Sequence, residues 1–190
     1  MAKFGSDERY EIRLSGSGGQ GLVLAGVMLA EAIGIYEGKN VTQTQSYGPE
    51  ARGGSSRSDL VVSDGEIYFP KPSKLDLLLA LTQDACDKYV DALRADGILV
   101  VDSDIVRQPP PVKNLYALPF THTAKEKLGT TIVTNVVSTA ACVAISGICR
   151  EESFVKSVLA RVPKGTEKVN EQACAIGFEM ARKAMKKVEV

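Results

Sequence analysis

The chain has 190 residues, of which 44% are hydrophobic and 24% charged, a balance typical of a soluble globular protein with one core of ordinary size. Lysine and arginine number 23 and aspartate and glutamate also 23, so the formal net charge of zero provides no overall attraction to nucleic acid or to an anionic membrane. The first nine residues mix both charge signs without an apolar stretch, so we expect neither a secretory signal nor a membrane anchor, and a cytoplasmic location.

Cysteine and histidine usage narrows the chemistry further. The four cysteines are Cys86, Cys142, Cys149 and Cys174. None forms a C-x-x-C pair that could hold zinc, an iron–sulfur cluster or a redox disulfide, so structural thiols are expected. The single histidine, His122, excludes a two-histidine zinc site, and no G-x-S-x-G motif accompanies it. Any metal or redox cofactor is therefore expected to come from another chain.

The hydrophobic pattern predicts strands that alternate with helices. The predicted strands are residues 10–15, 41–45, 57–63, 66–69, 75–81, 97–101 and 115–118. Helices are predicted at 22–30, after a glycine turn, and at 83–94. The pair Asp64-Gly65 is typical of a hairpin turn and adds one antiparallel strand. The expected fold class is therefore α/β, a three-layer, Rossmann-like α/β/α arrangement with a mostly parallel sheet.

The last third of the chain changes character, because it is predicted to be helical after Thr121. The apolar face of a long terminal helix is formed by Val169, Ala173, Ile176, Met180 and Ala184. Residues 129–149 contain no charge and are long enough to span a bilayer, but their threonines and serines favour a helix buried in the core or in a subunit interface. With no long linker, residues 1–190 are expected to form a single domain.

A first informative loop is Gly16-Ser17-Gly18-Gly19-Gln20-Gly21, between the first strand and the first helix. Glycines in this context allow a tight turn and bring backbone N–H groups at a helix N-terminus close to a phosphate. An NAD site also needs an acidic residue at the end of the second strand, which ends instead in Gln45 and Ser46. Three alternatives stay open: glycines that only permit close packing, another kind of anion site, or contact with a partner chain.

A second loop follows the second strand and includes Tyr47, Gly48, Glu50, Arg52, Gly53 and Gly54. In a parallel sheet both loops fall on the same edge. Arg52 is suited to bind a phosphate or carboxylate through two nitrogens, and Glu50 could orient it or pair across an interface. The simpler alternative is an internal ion pair of Glu50 with Arg52 or Arg57 that only fixes the loop.

The two motifs Gly-Ser-Gly-Gly-Gln-Gly and Ser-Tyr-Gly-Pro-Glu-Ala-Arg-Gly-Gly, about thirty residues apart, together resemble a known family. The chain resembles the gamma subunit of 2-oxoacid:ferredoxin oxidoreductases, most closely the 2-oxoglutarate branch, and the resemblance covers nearly the whole sequence. It implies an enzyme that oxidatively decarboxylates a 2-oxoacid to its acyl-CoA and reduces ferredoxin. The whole chain would then be one gamma-type domain.

The resemblance also implies where the cofactors lie. Thiamine diphosphate with Mg²⁺ and the iron–sulfur clusters belong to partner subunits, alpha, beta and in some enzymes delta, and coenzyme A is a co-substrate. No cofactor would be bound by this chain alone, no residue of it would be catalytic, and the isolated chain would be inactive. Self-association of the isolated chain stays open.

The site residues carried over from the resemblance are those of the two loops and one helix start. Gly16, Gly18, Gly19, Gln20 and Gly21 would form a phosphate-sized turn, and Tyr47, Gly48, Glu50, Arg52, Gly53 and Gly54 the neighbouring contact loop, where coenzyme A and the catalytic subunits meet. Asn135 is a further candidate, because a buried amide at a helix start could cap that helix or bond to the contact loop.

Other readings of the same residues remain. One is a free-standing oxidoreductase that uses the glycine turn for NAD or a flavin. Another is a gamma subunit specific for pyruvate or branched-chain oxoacids. A third is a structural or regulatory module that binds no ligand.

Overall fold

The computed structural model describes residues 9–47 and 54–188, which form six strands and the helices around them. The strands are β1 (Arg9–Ser17), β2 (Asn40–Tyr47), β3 (Ser55–Ser63), β4 (Leu75–Ala80), β5 (Leu93–Asp102) and β6 (Asn114–Leu118). The described helices are α1 (Leu22–Glu31), α2 (Gln83–Tyr89), α3 (Phe120–Leu128), α4 (Thr134–Ser146), α5 (Glu151–Arg161) and α6 (Glu167–Val188). A π-helical segment (Ala32–Tyr36) extends α1, and a 3₁₀ turn (Val90–Ala92) extends α2.

The sheet has the strand order β2-β3-β1-β4-β5-β6. Strands β1, β4, β5 and β6 pair in parallel, whereas β3 is antiparallel to both of its neighbours, β1 and β2. Strand β2 therefore points the same way as β1, and five of the six strands share one direction. The α/β fold with a mostly parallel sheet is thus confirmed.

The predicted strand at 66–69 is wrong, because these residues lie in a loop. Both edges of β3 are already paired, one with β1 and the other with β2, so no edge is left for a following hairpin strand. The loop instead packs beside β2, where Asn40 Nδ2 donates to the Gly65 carbonyl (3.0 Å) and Thr42 Oγ1 to the Pro70 carbonyl (3.4 Å). The one antiparallel strand is β3 itself.

Helices cover the sheet unequally on its two faces. On the first face, β1 and β4 contribute Ile12, Leu14, Leu77 and Leu79 to a core that also contains residues of α1, α3, α4, α5 and α6. On the second face, α2 packs Cys86 and Tyr89 against the neighbouring strands β4 and β5. Helix α1 approaches β3 so closely that a Cβ on Gly26 would lie 1.9 Å from Ser58 Oγ.

The helix predicted at 83–94 is shorter than expected. Thr82 Oγ1 caps its start by accepting from the Ala85 N–H (3.3 Å), but α2 ends at Tyr89 and Leu93 is already extended. Leu93 pairs with Leu75 at the start of the β4–β5 ladder, so tertiary pairing outweighs the local helical pattern.

The uncharged stretch 129–149 contains α4, which has only 13 residues and is buried along most of its length. Helix α6 packs beside α4, with Val169, Ile176 and Met180 around the buried Ala173, as the terminal apolar face predicts. Within residues 9–47 and 54–188, no helix is both long and apolar enough to cross a membrane.

A buried carboxylate ties α5 to the end of the π-helical segment. The Glu37 side chain is 2% exposed and accepts from Ser153 Oγ (2.5 Å), Arg150 Nε (2.9 Å) and the Arg150 N–H (3.2 Å). Burial alone would raise the pKa of Glu37, but the hydrogen bonds from Ser153 and Arg150 outweigh it and hold this pKa below its ordinary value.

Replacing Glu37 by glutamine is expected to lower the free energy of unfolding at pH 7 by about 1–3 kcal/mol, because the hydrogen bonds lose their charged acceptor. A lowered folded-state pKa stabilises the protein fully above the unfolded-state pKa, and the effect is lost as the pH falls through the folded-state pKa. The free energy of unfolding of the wild type should therefore approach that of Glu37→Gln below about pH 4.5.

Urea unfolding of both proteins between pH 7 and pH 4 measures this difference. Glu126→Gln is the matched control, because that exposed carboxylate lies 3.6 Å from the exposed His122 across one helical turn and its loss should change the free energy by under about 0.5 kcal/mol. A gap between wild type and Glu37→Gln that stays constant down to pH 4 would contradict the proposed cause.

Candidate functional site

The glycine turn joins β1 to α1 and is folded around the Gln20 side chain. Gln20 Oε1 accepts from the Ser17 N–H (2.7 Å), and the Gln20 N–H donates to the Ser17 carbonyl (3.3 Å). A Cβ on Gly16 would lie 2.2 Å from Gln20 Oε1, so no other residue fits at position 16 without displacing this amide. Gln20 thus shapes the turn from within.

The last glycine of the turn is fixed by a distant helix. Gly21 has a φ of +71°, which L side chains rarely adopt, and a Cβ on it would lie 2.6 Å from Asn135 Nδ2. Asn135, 6% exposed in the first turn of α4, donates through Nδ2 to the Gly21 carbonyl (3.0 Å). The starts of α1 and α4 are therefore held together by one side chain.

Asn135 does not cap its own helix, which was one of its two expected roles. The capping position of α4 is Val133, and no side chain caps it. The other expected role, a bond to the contact loop, concerns a loop of which residues 48–53 lie outside the described part of the chain. The contact with Gly21 crosses 114 residues of sequence, and no local pattern announces it.

The second loop connects β2 to β3 at the same sheet edge as the glycine turn. Gly48, Glu50, Arg52 and Gly53 lie outside the described residues, as does the side chain of Tyr47. Gly54 is described and buried, and its carbonyl accepts a 2.6 Å hydrogen bond from the Gly18 N–H. The two loops thus meet through their backbones, although β3 lies between β1 and β2.

The turn presents backbone rather than side chains to solvent. Gly18, Gly19 and Gly21 are exposed, and Gly21 has no side chain with which to cap α1. The first N–H groups of a helix carry the positive end of its dipole, so such an opening is chemically suited to an anion.

A cationic cluster that the sequence analysis did not predict lies on the second face of the sheet, where Arg13 stands four residues before the carboxyl end of β1. Arg13 forms a two-pronged ion pair with Asp59, Nε to Oδ1 at 2.7 Å and an Nη to Oδ2 at 2.9 Å, and both side chains are buried. The guanidinium of Arg13 lies 4.6 Å from the centre of the Tyr89 ring, with that of Arg57 at 5.5 Å and the ammonium of Lys88 at 5.4 Å. The sequence signal for this cluster was the polar residue at every second position of β1.

Arg57 lies beside Asp59, whereas the sequence suggested a pair with Glu50. Its Nε lies 3.5 Å from Asp59 Oδ2, and its side chain is one-third exposed. The ion pair with Glu50 expected as an alternative concerns a residue outside the described part of the chain.

The titratable groups give no sign of a redox or metal centre in the described part. Across residues 9–47 and 54–188, no three His, Cys, Asp or Glu side chains cluster as metal ligands would. The four cysteines are free and buried, and burial raises the pKa of Cys86 to about 11 and of Cys149 and Cys174 to about 12. These thiols stay protonated at neutral pH. His122 is exposed on α3, beside Glu126.

Comparison with known proteins identifies relatives along nearly the full length. The sequence profile of the pyruvate ferredoxin/flavodoxin oxidoreductase family matches residues 11–182. The chain is 47% identical over 177 residues to 2-oxoglutarate synthase subunit KorC of Methanocaldococcus jannaschii, covering 92% of this chain and 95% of the relative. It is 41% identical over 185 residues to the KorC subunit of Methanothermobacter marburgensis, covering 94% of this chain and all of the relative.

A solved structure agrees with these relatives. The gamma subunit of a keto/oxoacid ferredoxin oxidoreductase from Geobacter sulfurreducens superposes with a TM-score of 0.86 at 48% identity, over 93% of this chain and 98% of that one. The residues matched by the family profile, 11–182, include both loops of the sheet edge. The chain therefore belongs to the pyruvate ferredoxin/flavodoxin oxidoreductase family, as a gamma-type subunit.

Proposed function

We propose that this chain is the gamma subunit of a 2-oxoglutarate:ferredoxin oxidoreductase, which converts 2-oxoglutarate and coenzyme A to the acyl-CoA and reduces ferredoxin. The observation that carries the proposal is the 47% identity to a 2-oxoglutarate synthase subunit over 95% of that subunit's length. In this proposal, residues 1–190 act as one gamma-type domain in the cytoplasm.

The nucleotide-binding alternative is not favoured, and the sheet order gives a physical reason. In a dinucleotide-binding fold the second strand lies beside the first, and an acid at its carboxyl end reaches the ribose hydroxyls. Here the antiparallel β3 lies between β1 and β2, and β2 ends in Gln45, Ser46 and Tyr47. At the described end of β2, the glycine turn therefore has no acidic side chain of the kind that NAD recognition requires.

The proposed role of the sheet edge is to contribute to the coenzyme A region. Coenzyme A carries phosphate groups, and the uncapped start of α1 with the exposed glycines Gly18, Gly19 and Gly21 suits one of them. Arg52 would provide a charge-assisted contact from the adjoining loop, with Tyr47, Gly48, Glu50, Gly53 and Gly54 around it. Gly16, Gln20 and Asn135 would keep the turn in shape.

The reacting groups would come from the partner subunits. Thiamine diphosphate with Mg²⁺ and the iron–sulfur clusters belong to the alpha, beta or delta chains in this proposal, and ferredoxin is the electron acceptor. This chain would then shape part of the site without performing a chemical step. We accordingly expect the isolated chain to be inactive.

Co-purification tests the assignment directly. Affinity purification of this chain from its own cells is expected to recover larger thiamine-binding chains and an anaerobic activity that reduces a viologen dye only when 2-oxoglutarate and coenzyme A are both present. Pyruvate and branched-chain oxoacids serve as matched substrates and should react more slowly. A chain that purifies alone, or a complex that prefers another oxoacid, would contradict the proposal.

Replacement of Arg52 by alanine tests the coenzyme A contact. Loss of one charge-assisted hydrogen bond is worth about 1.5–3 kcal/mol, so the KM for coenzyme A should rise roughly 10- to 100-fold. The KM for 2-oxoglutarate should stay within about twofold of the wild-type value, because the proposed contact involves only coenzyme A.

Steady-state kinetics of the assembled enzyme provide the measurement, and Arg182→Ala is the matched control. Arg182 is an exposed arginine on α6 that pairs with Glu151 and takes no part in either loop. A ligand-free structural module would show an unchanged KM for coenzyme A in Arg52→Ala. That outcome would remove the loop from the proposed coenzyme A region.

A further inference from the structure

The cationic cluster on the second face of the sheet has more positive than negative charge. Arg13, Arg57 and Lys88 all lie within 5.5 Å of the centre of the Tyr89 ring. In the described part of the chain, Asp59 is the one carboxylate within 4 Å of any of these cations. Three positive charges and one negative charge leave an excess of two.

The carboxylate of Asp59 is fully engaged by one of the three cations. Its two oxygens accept from Arg13 at 2.7 and 2.9 Å. Arg57 lies farther away, with its Nε 3.5 Å from Oδ2, and its guanidinium forms no hydrogen bond to another described residue. Arg57 therefore keeps its donors available, and its side chain is one-third exposed.

Lys88 is the second cation of the cluster that keeps its donors available. It is exposed on α2, and it forms no ion pair with any residue that the structure describes. Asp84 precedes it by one helical turn and Asp87 is its neighbour, but neither carboxylate lies within 4 Å of its ammonium group. Asp87 instead accepts from Gln83 Nε2 at 2.8 Å.

One wall of the cluster is built from buried side chains. Arg13 is 8% and Tyr89 7% exposed, so neither can swing away from the sheet. The hydroxyl of Tyr89 has no hydrogen-bond partner within the described ranges, and it is not among the enclosed polar atoms. A tyrosine this deeply buried usually directs its hydroxyl to a partner, which here leaves a donor beside two unengaged cations.

Arg57 places the cluster close to the glycine turn. It is the register partner of Ser15, which lies two residues, or about 7 Å, before Ser17 along β1. Helix α2 packs on this face over β1 and β4, whereas α1, which packs on β2 and β3, covers the opposite face. A ligand at the glycine turn can therefore extend along β3 to Arg57.

The charge excess matches one particular group of coenzyme A. That molecule carries a pyrophosphate and, one ribose away, a single phosphate monoester on the ribose. A phosphate monoester has a charge of about −1.5 to −2 at pH 7, which balances an excess of two positive charges. A carboxylate would balance half of it. The forked donors of an arginine also fit phosphate oxygens.

We propose that Arg57, Lys88 and the Tyr89 hydroxyl bind the ribose phosphate of coenzyme A, while the glycine turn takes the pyrophosphate. The inference rests on the proposed function and deepens it, because it assigns a second phosphate site in a different part of the sheet. Arg13 and Asp59 act as positioning residues, since they hold the wall against which the phosphate lies.

Dephospho-coenzyme A, which lacks the ribose phosphate alone, tests the site in the assembled enzyme. Wild type should show a kcat/KM at least about tenfold higher for coenzyme A, because the phosphate forms charge-assisted hydrogen bonds. In Arg57→Ala/Lys88→Ala the two substrates should differ by less than about twofold, since the donors for that phosphate are gone. The change should appear in KM, with kcat at saturating coenzyme A within about twofold of wild type.

The matched control is Arg182→Ala/Lys156→Ala, which removes the same two charges from exposed positions of α6 and α5. It should keep the wild-type preference for coenzyme A. Arg57→Lys retains a cation without the forked donors and should give an intermediate preference. Lys88→Ala alone changes one exposed side chain, so it should leave folding intact and still reduce the preference.

The other outcomes decide against the inference. A wild-type enzyme that uses both substrates equally well has no site for the ribose phosphate, whatever the variants do. Equal loss with both substrates in Arg57→Ala/Lys88→Ala would mean that these residues only maintain the structure, for example through an ion pair of Arg57 with Glu50. An enzyme active with 2-oxoglutarate and coenzyme A would in both cases retain the proposed function. A complex without that activity would overturn the proposed function as well.

Discussion

The cross-strand ion pair between Arg13 and Asp59 fixes the register of β3 against β1. These residues are register partners and are both buried, so a slip of one residue would put their side chains on opposite faces of the sheet. A slip of two residues would place Arg13 opposite Arg57 or Val61. Either change leaves a buried charge without its partner, which costs about 3–5 kcal/mol. Only the observed register avoids this cost.

The position of the candidate site follows from that register. It sets Gly16 opposite Ser56 and Ser17 opposite Ser55, which brings Gly54 to the Gly18 N–H. The two loops therefore meet because an antiparallel strand connects them, and not because β1 and β2 are neighbours. The same inserted strand separates this sheet from a dinucleotide-binding order. Because β1 and β2 pair with its two edges, neither edge is free for a hairpin strand at 66–69.

Local pattern in the sequence was sufficient where structure depends on local forces. Apolar periodicity and glycine placement predict β1, α1 and the shared edge of the two loops, because these depend on residues close in the chain. The local pattern was insufficient where the conformation of a residue depends on a partner that is distant in the sequence. Leu93 leaves the helical pattern to pair beside Leu75, and Asn135 binds Gly21 across 114 residues. The alternation of polar residues in β1 singles out Arg13, but it does not show that its partner is Asp59.

Strand β1 links two features that lie at opposite ends of the sheet. Near its start, Glu11 holds the loop before β4 by accepting from the Ser73 N–H, and at its end Ser17 begins the glycine turn. Arg13 lies between them and pairs with Asp59. Six residues of extended chain separate Glu11 from Ser17 by about 20 Å. Because β1 is paired on both sides, the ion pair that sets its register with β3 also sets where both features lie in the sheet.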